Sequence, residues 1–314
     1  MGKKFTLGIC LLLLSAVLSL CLGAAGWNPE QFILLYVRLP RTAACLLAGA
    51  ALSVSGAVIQ EVLHNKLASP SIIGVNAGAG LAVTVCCACG AISGWAVAGA
   101  AFLGACVSVL LIVAVAEKVG ASRTTVILGG VAVNAFLNAL SEALTTLIPE
   151  IGMMTADFRV GGFGSVSHLR LIPAGVLILL ALGAVFLLHN ELDVLALGEE
   201  TAQGLGMDVK KIRTALLVLA AMLAGAAVSF GGLLGFIGLI VPHAVRKLTG
   251  SESKYLLPLC AICGAAFVTF CDTAARMLFS PFELPVGIVL SVLGGPFFLW
   301  LLMKRKGGRS DAGN

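Results

Sequence analysis

Long apolar runs separated by short charged segments dominate the chain. A helix needs about 20 apolar residues to cross a hydrocarbon core of about 30 Å, and runs such as 5–25 and 284–303 meet that length. Strands of an outer-membrane barrel would instead alternate over about ten residues. The pattern therefore predicts an all-α polytopic membrane protein with about ten transmembrane helices. The ten predicted spans are 5–25, 42–63, 72–92, 95–116, 126–148, 171–189, 214–231, 233–248, 256–276 and 284–303.

Composition supports the same class. Hydrophobic residues make up 59% of the 314 and charged residues 11%, against about a quarter charged in a soluble domain. The 38 glycines favour close helix packing in lipid. The ten cysteines lie almost entirely inside apolar runs, where they act as small packing residues, so we predict no metal site.

In a membrane protein, a net charge of +5 is informative about which loops lie in the cytoplasm, and we expect no nucleic-acid partner. With a cytoplasmic amino terminus, ten crossings place fifteen Lys and Arg residues inside and five outside, as the positive-inside rule requires. Both termini are therefore predicted to be cytoplasmic.

The run 214–245 is long for one crossing and short for two. Basic clusters flank both ends, and glycines between 231 and 238 offer a turn, so we predict a short returning helix. Residues 48–56 and 224–232 share six identities in nine. They run in opposite directions, which predicts an inverted repeat with halves at about 42–148 and 214–303 inside one permease domain, 1–314.

Three groups of residues are candidates for function. The fifth span carries a polar stripe on one helix side, which favours a wet translocation path over hydrogen bonding between helices. Its members are Asn134, Asn138, Ser141, Glu142 and Thr145. The cytoplasmic segment 192–213 has apolar residues at helical spacing and favours a docked partner over a solvated loop. On the outer side, Arg38, Arg41 and Arg276, with Glu283 nearby, suggest a basic platform for an acidic partner.

Energy conversion has no obvious site in this chain, because no P-loop pattern occurs. Buried acids could drive ion-coupled transport, but only Glu142 and Asp272 lie well inside apolar runs. Arg276 follows Asp272 by one helical turn, so a structural ion pair is favoured over a proton relay.

The chain resembles permease subunits of the FecCD type, which belong to ATP-binding-cassette importers of iron-siderophores, haem and cobalamin. The matching motifs are RLPRTAACLLAGAALSVSGAVIQEVLHNKLASPSIIGVNAGAG at 38–80, LALGEETAQGLGM at 195–207, GFIGLIVPHAVR at 235–246, DTAAR at 272–276 and ELPVGIVLSVLGGPFF at 283–298. They cover most of the chain in the family's order.

The resemblance implies a multi-pass protein of the bacterial cytoplasmic membrane. Its partners would be a second permease copy or a similar permease, two ATPase subunits and an extracellular or periplasmic substrate-binding protein. The chain itself would have no catalytic residue and bind no cofactor, since ATP and Mg²⁺ would sit on the partner ATPase.

The resemblance also gives residues roles. Arg38, Arg41 and Arg276 would meet acidic residues of the binding protein, and the fifth and tenth spans would line the pathway. Ser122, Thr124 and Thr125 would lie at the cytoplasmic gate. The element seated in an ATPase cleft would comprise Leu197, Gly198, Glu199, Glu200, Ala202, Leu205, Gly206 and Met207.

The alternatives left open are a secondary transporter using Glu142 or Asp272, and a passive channel or scaffold. Among chelates, the residues do not separate an iron(III)-siderophore from haem or cobalamin, and the first is expected from its frequency in the family.

Overall fold

The computed structural model describes residues 2–23, 31–119, 123–278, 280 and 282–310, and within them the chain is helical. The helices are α1 (Gly2–Cys21), α2 (Gln31–Ile33), a π-helical turn (Leu34–Arg38), α3 (Leu39–Val62), α4 (Val75–Ala88), α5 (Gly94–Val119), α6 (Arg123–Leu147), α7 (Pro149–Val160), α8 (His168–Leu187), α9 (His189–Ala196), α10 (Glu199–Gly204), α11 (Val209–Gly231), α12 (Ile237–Thr249), α13 (Ser253–Met277) and α14 (Val286–Ser310).

A helix lies at each of the ten predicted span positions. Within the described residues, seven helical stretches are long and apolar enough to cross a membrane, and α4 and the first part of α14 are shorter apolar helices. The all-helical, multi-span class is therefore confirmed.

The second predicted span differs most at its start. It was expected from residue 42, but α2, the π-helical turn and α3 form one continuous stretch, Gln31–Val62. Pro40 does not interrupt it, because the π-helical turn just before it replaces the regular hydrogen bonding where the proline N–H is missing.

The π-helical turn has a local cause and a distant partner. The Leu39 N–H donates to Leu34 O, five residues back, and Pro40 has no N–H, so the Leu35 carbonyl receives neither bond. His168, at the start of α8, donates to that carbonyl through Nε2 at 2.9 Å. The N-terminal end of this long helix is thereby joined to α8.

Helix α3 lies at the centre of the molecule and packs against α11, α12 and α13. Small residues allow the approach, because a Cβ on Gly49 would overlap the backbone of Gly264 on α13. Beside this crossing, the Ser53 hydroxyl donates to Cys260 O at 2.6 Å. The Ser55 hydroxyl similarly donates to Ala220 O on α11 at 2.7 Å.

The predicted turn between the seventh and eighth spans is present. Helix α11 ends at Gly231, and α12 begins at Ile237 and runs for only 13 residues. Gly232 and Phe236 both have positive φ, 69° and 66°. Backbone bonds hold the turn, since Gly231 O accepts from the Gly162 N–H at 2.8 Å.

The two similar segments, 48–56 and 224–232, lie mainly in α3 and α11, which pack against each other. The inverted relation of the two halves stays a prediction.

The α3–α12 contact gives a test of packing. A Cβ on Gly56 would overlap the Gly238 backbone of α12, whereas a Cβ on Gly99 of α5 has no atom within 4 Å. We expect Gly56→Ala to lower the free energy of unfolding by about 1–3 kcal/mol through overpacking. Gly99→Ala should be neutral or stabilising by up to about 1 kcal/mol. Thermal unfolding of both variants in detergent measures this, and equal melting temperatures would contradict the close approach.

Candidate functional site

Arg41 forms the centre of a buried charge cluster at the predicted outer end. Its Nε and Nη2 donate to Asp272 Oδ1 at 3.2 and 3.0 Å, and Nε also reaches Oδ2 at 3.0 Å. Its Nη1 donates to Glu283 Oε2 at 2.5 Å. Asp272 is fully buried. A bidentate pair of this kind is strong and directional, and it joins α3 to α13.

Arg276 completes the cluster from one helical turn beyond Asp272. Its Nε lies 3.1 Å from Asp272 Oδ2, so the predicted ion pair is confirmed. Its Nη2 donates to Ser19 Oγ at 2.8 Å, and its Nη1 to Leu22 O at 3.2 Å. Asp272 therefore neutralises two arginines, and Arg276 also ties α13 to the end of α1.

Arg38 meets the same end of α1. Its Nη1 donates to Leu20 O at 2.9 Å and to Cys21 O at 2.7 Å, where a helix leaves its last carbonyls without backbone donors. Like Arg41 and Arg276, it is buried. The guanidinium groups of all three arginines thus make internal contacts near the end of α1 and the start of α3. Docking of a binding protein on them stays a prediction.

A cavity of about 410 Å³ opens beside this cluster. Segments from α7, the α11–α12 turn and the residues before α14 surround it. Its charged lining residues are Arg41, Asp157, Arg170 and Glu283.

The polar stripe of the fifth span divides into two parts on α6. The Asn134 amide donates to the Ser71 and Ile72 carbonyls at 2.9 and 3.0 Å. Ser141 is buried and shares a 3.0 Å bond with the Thr84 hydroxyl of α4. The structure thus shows bonding to neighbouring segments for this part of the stripe.

The other part of the stripe lies at the exposed surface of the subunit. Asn138 and Glu142, one turn apart, are exposed. Thr145 is half-buried and donates to Ser141 O of its own helix at 3.2 Å. An exposed amide and carboxylate in mid-helix are unfavourable against lipid, so this face needs water or protein against it.

The predicted gate lies at the start of α6. Ser122 is outside the described residues, as is the side chain of Thr124, while Thr125 is half-buried on α6. The gate assignment stays a prediction.

The predicted coupling segment folds into two short helices, α9 and α10. Ala202 is the buried anchor of α10, and Glu199 pairs with the buried Arg213 of α11. Gly198 and Gly206, with φ of 116° and 82°, allow the turns at both ends of α10.

The exposed surface of the segment carries two large apolar side chains. Leu197 and Leu205 are each 66% exposed, whereas Met207 is half-buried and Glu200 is exposed and polar. A hollow of about 380 Å³ lies beside Leu205 and Met207. Two large leucines open to water on a structured element are typical of an interaction surface.

Asp208 fixes the junction between this segment and α11. It accepts from the Lys211 N–H at 3.2 Å as an N-cap and pairs with Lys211 Nζ at 2.8 Å. These bonds lower the pKa of Asp208. The cap therefore remains ionised at acidic pH where a free aspartate begins to take up a proton.

An ion pair between α12 and α3 also escaped the sequence analysis. Arg246 of α12 donates to Gln60 Oε1 and Glu61 Oε1 of α3, each at 2.9 Å. Gln60 also donates to Gly238 O at 3.0 Å. Polar residues at the ends of apolar helices, in the motifs 38–80 and 235–246, were the available signal. The pair fixes the short α12 to α3.

Comparison with known proteins covers nearly the whole chain. The model of the FecCD transport family matches residues 6–304. The Fe(3+)-citrate import system permease protein YfmD of Bacillus subtilis is 36% identical over 88% of this chain and 83% of its own. The vitamin B12 import system permease protein BtuC of Klebsiella pneumoniae is 35% identical over 98% and 95%.

A solved structure shares the fold. It belongs to a transporter assigned to the metal-chelate ABC type, in an inward-facing conformation, with a TM-score of 0.88 and 29% identity over 97% of this chain and 100% of that chain.

Proposed function

Because the chain belongs to the FecCD transport family, we propose that it is the permease subunit of an ATP-driven importer that carries an iron(III)-siderophore across the bacterial cytoplasmic membrane. The observation that carries this proposal is the family match over residues 6–304. The similarity to an Fe(3+)-citrate permease supports an iron chelate. Similarity to a vitamin B12 permease and to a hemin permease keeps a corrinoid and haem as the alternatives.

The proposed topology has ten crossings, with both termini in the cytoplasm. Helices at all ten predicted positions support it, as does the fifteen-to-five distribution of basic residues. In this arrangement α12 is a short crossing that is tolerated because α3 and α13 cover it.

We propose that two permease subunits enclose the pathway. The α6 face with Asn138 and Glu142 is exposed, and so are large apolar side chains of α14 such as Val292 and Leu299. A second copy, or a similar permease, would cover the apolar parts and leave the polar stripe beside a wet path. The specificity for a chelate would then reside largely in the external binding protein.

ATP hydrolysis takes place, in this proposal, on two partner ATPases that also hold ATP and Mg²⁺. Each ATPase would receive α10 in a cleft, with Leu197 and Leu205 as the apolar contacts. Closure of the ATPases would then move the helices between outward-open and inward-open states. Ser122, Thr124 and Thr125 would lie at the gate of the cytoplasmic end.

A secondary transporter is the less favoured alternative. It would need Glu142 or Asp272 to take up the driving ion. Asp272 is the buried counter-ion that Arg41 and Arg276 share, so its contacts are those of a structural ion pair. Glu142 is exposed, and the chain's relatives are permeases of import systems.

Reconstitution separates these functions. We expect vesicles containing the permease, its co-purified ATPase and the external binding protein to accumulate ⁵⁵Fe-labelled ferric hydroxamate only with internal ATP. Vesicles containing the permease alone should accumulate nothing. Uphill uptake by the permease alone, with an ion gradient, would overturn the proposal.

A further inference from the structure

The ion pair between Arg41 and Glu283 is asymmetric. The Arg41 side chain is 8% exposed, whereas that of Glu283 is 42% exposed. One partner is thus fixed in the interior, and the other lies at the surface, close to the start of α14.

Asp272 and Glu283 accept from different N–H groups of the planar Arg41 guanidinium. Asp272 holds Nε and Nη2, and Glu283 takes only Nη1. Loss of Glu283 would therefore leave the buried bidentate pair intact. The Nη1 position can exchange one carboxylate for another, provided that the incoming group has room.

Space for an incoming carboxylate exists in the cavity of about 410 Å³ that both Arg41 and Glu283 line. Arg170, on another wall, donates from Nη2 to Ser165 O at 2.8 Å and is half-buried. Asp157 is the remaining charged lining residue and is exposed. The carboxylate partners of Arg41 in the described chain are Asp272 and Glu283, so Asp157 provides negative charge without this bond.

We propose that Glu283 occupies the position of an acidic side chain of the external binding protein, and that docking exchanges one carboxylate for the other on Arg41 Nη1. This inference rests on the proposed function, because it requires such a binding protein. It explains how a buried arginine can serve a docking surface: only its outward-facing N–H bond changes partner. Glu283 then weakens docking, since the incoming carboxylate must displace it.

The test compares Glu283→Gln with Asp157→Asn in the complete complex in nanodiscs. The probe is the substrate-binding protein that co-purifies with the permease and its ATPase, and its association and dissociation rates are measured by biolayer interferometry. We expect Glu283→Gln to bind about fivefold more tightly, the effect of one partly exposed ion pair. The gain should lie mainly in slower dissociation, because a new short-range bond replaces a competed one.

Asp157→Asn removes the same charge from the same cavity and should change affinity by less than about twofold. Equal gains in both variants, confined to faster association, would mean general repulsion and overturn the exchange. Unchanged or weaker binding by Glu283→Gln would overturn it as well. A binding protein that fails to bind the wild-type complex would instead refute the docking step of the proposed function, and the inference with it.

Discussion

Asp272→Asn should destabilise the protein more than any other single polar substitution in the described chain. Asp272 is fully buried and holds Arg41 and Arg276 together. Asparagine has nearly the same shape but no charge, so two buried cations would lose their shared counter-ion. Breaking a buried pair in this way costs about 3–5 kcal/mol. Thermal unfolding of the purified protein in detergent, with the yield of membrane-inserted protein, measures the loss.

Two further variants make this expectation specific. Asp157→Asn removes an exposed carboxylate from the same end of the molecule and should leave the melting temperature nearly unchanged. Arg276→Gln combined with Asp272→Asn should recover part of the stability, because it removes the arginine whose carboxylate partner is Asp272, whereas Arg41 keeps Glu283. A single Asp272→Asn variant that melts with the wild type would show that the cluster does not stabilise the fold.

The positions of the helices follow from local information. A run of about 20 apolar residues has few structures open to it in lipid, so the positions of the long helices and the Gly231–Gly232 turn could be predicted. The Asp272–Arg276 pair was also predictable, because residues four apart on a helix are neighbours.

The partners of Arg41 could not be predicted in this way. Asp272 and Glu283 lie 231 and 242 residues away in sequence, and only the packing of α3 against α13 brings them together. The same holds for Arg246 and Gln60, 186 residues apart. The exposure of individual side chains could not be predicted from the sequence pattern either. The stripe lies on one side of α6, but whether α4 covers a given residue depends on how the two helices cross. As a result, the Ser141 hydroxyl is hydrogen-bonded to Thr84 of α4, whereas Glu142 is exposed.

The helix-forming segment 149–160 illustrates a further limit. It has few apolar residues in periodic order and lies between the predicted spans 126–148 and 171–189, yet it forms α7. Pro149 at its first position and Glu150 in its first turn are ordinary start signals. Such signals carry little weight in a chain whose strongest pattern is hydropathy, although this helix helps to build the cavity beside Arg41 through Phe158.

Replacing both Leu197 and Leu205 by alanine should abolish most transport while leaving the fold intact. Both side chains are exposed, so their loss removes little packing within the subunit. Ala202 and the Glu199–Arg213 pair, which hold α10 in place, are untouched. If the two leucines are the apolar contacts with the ATPase, each truncation costs about 1–2 kcal/mol of association. ATP-dependent uptake and co-purification of the ATPase should then fall by roughly tenfold or more.

Leu248→Ala is the matched control, because Leu248 is also an exposed leucine at the predicted cytoplasmic end but lies on α12. It should retain uptake within about twofold of the wild type. Glu199→Gln should give an intermediate loss, since it weakens the ion pair with Arg213 that orients α10 but keeps both leucines. Full ATPase binding and uptake by the double leucine variant would show that the ATPase acts on the permease through other residues. The exposed leucines would then need another partner, because an apolar surface of this kind gains nothing from water.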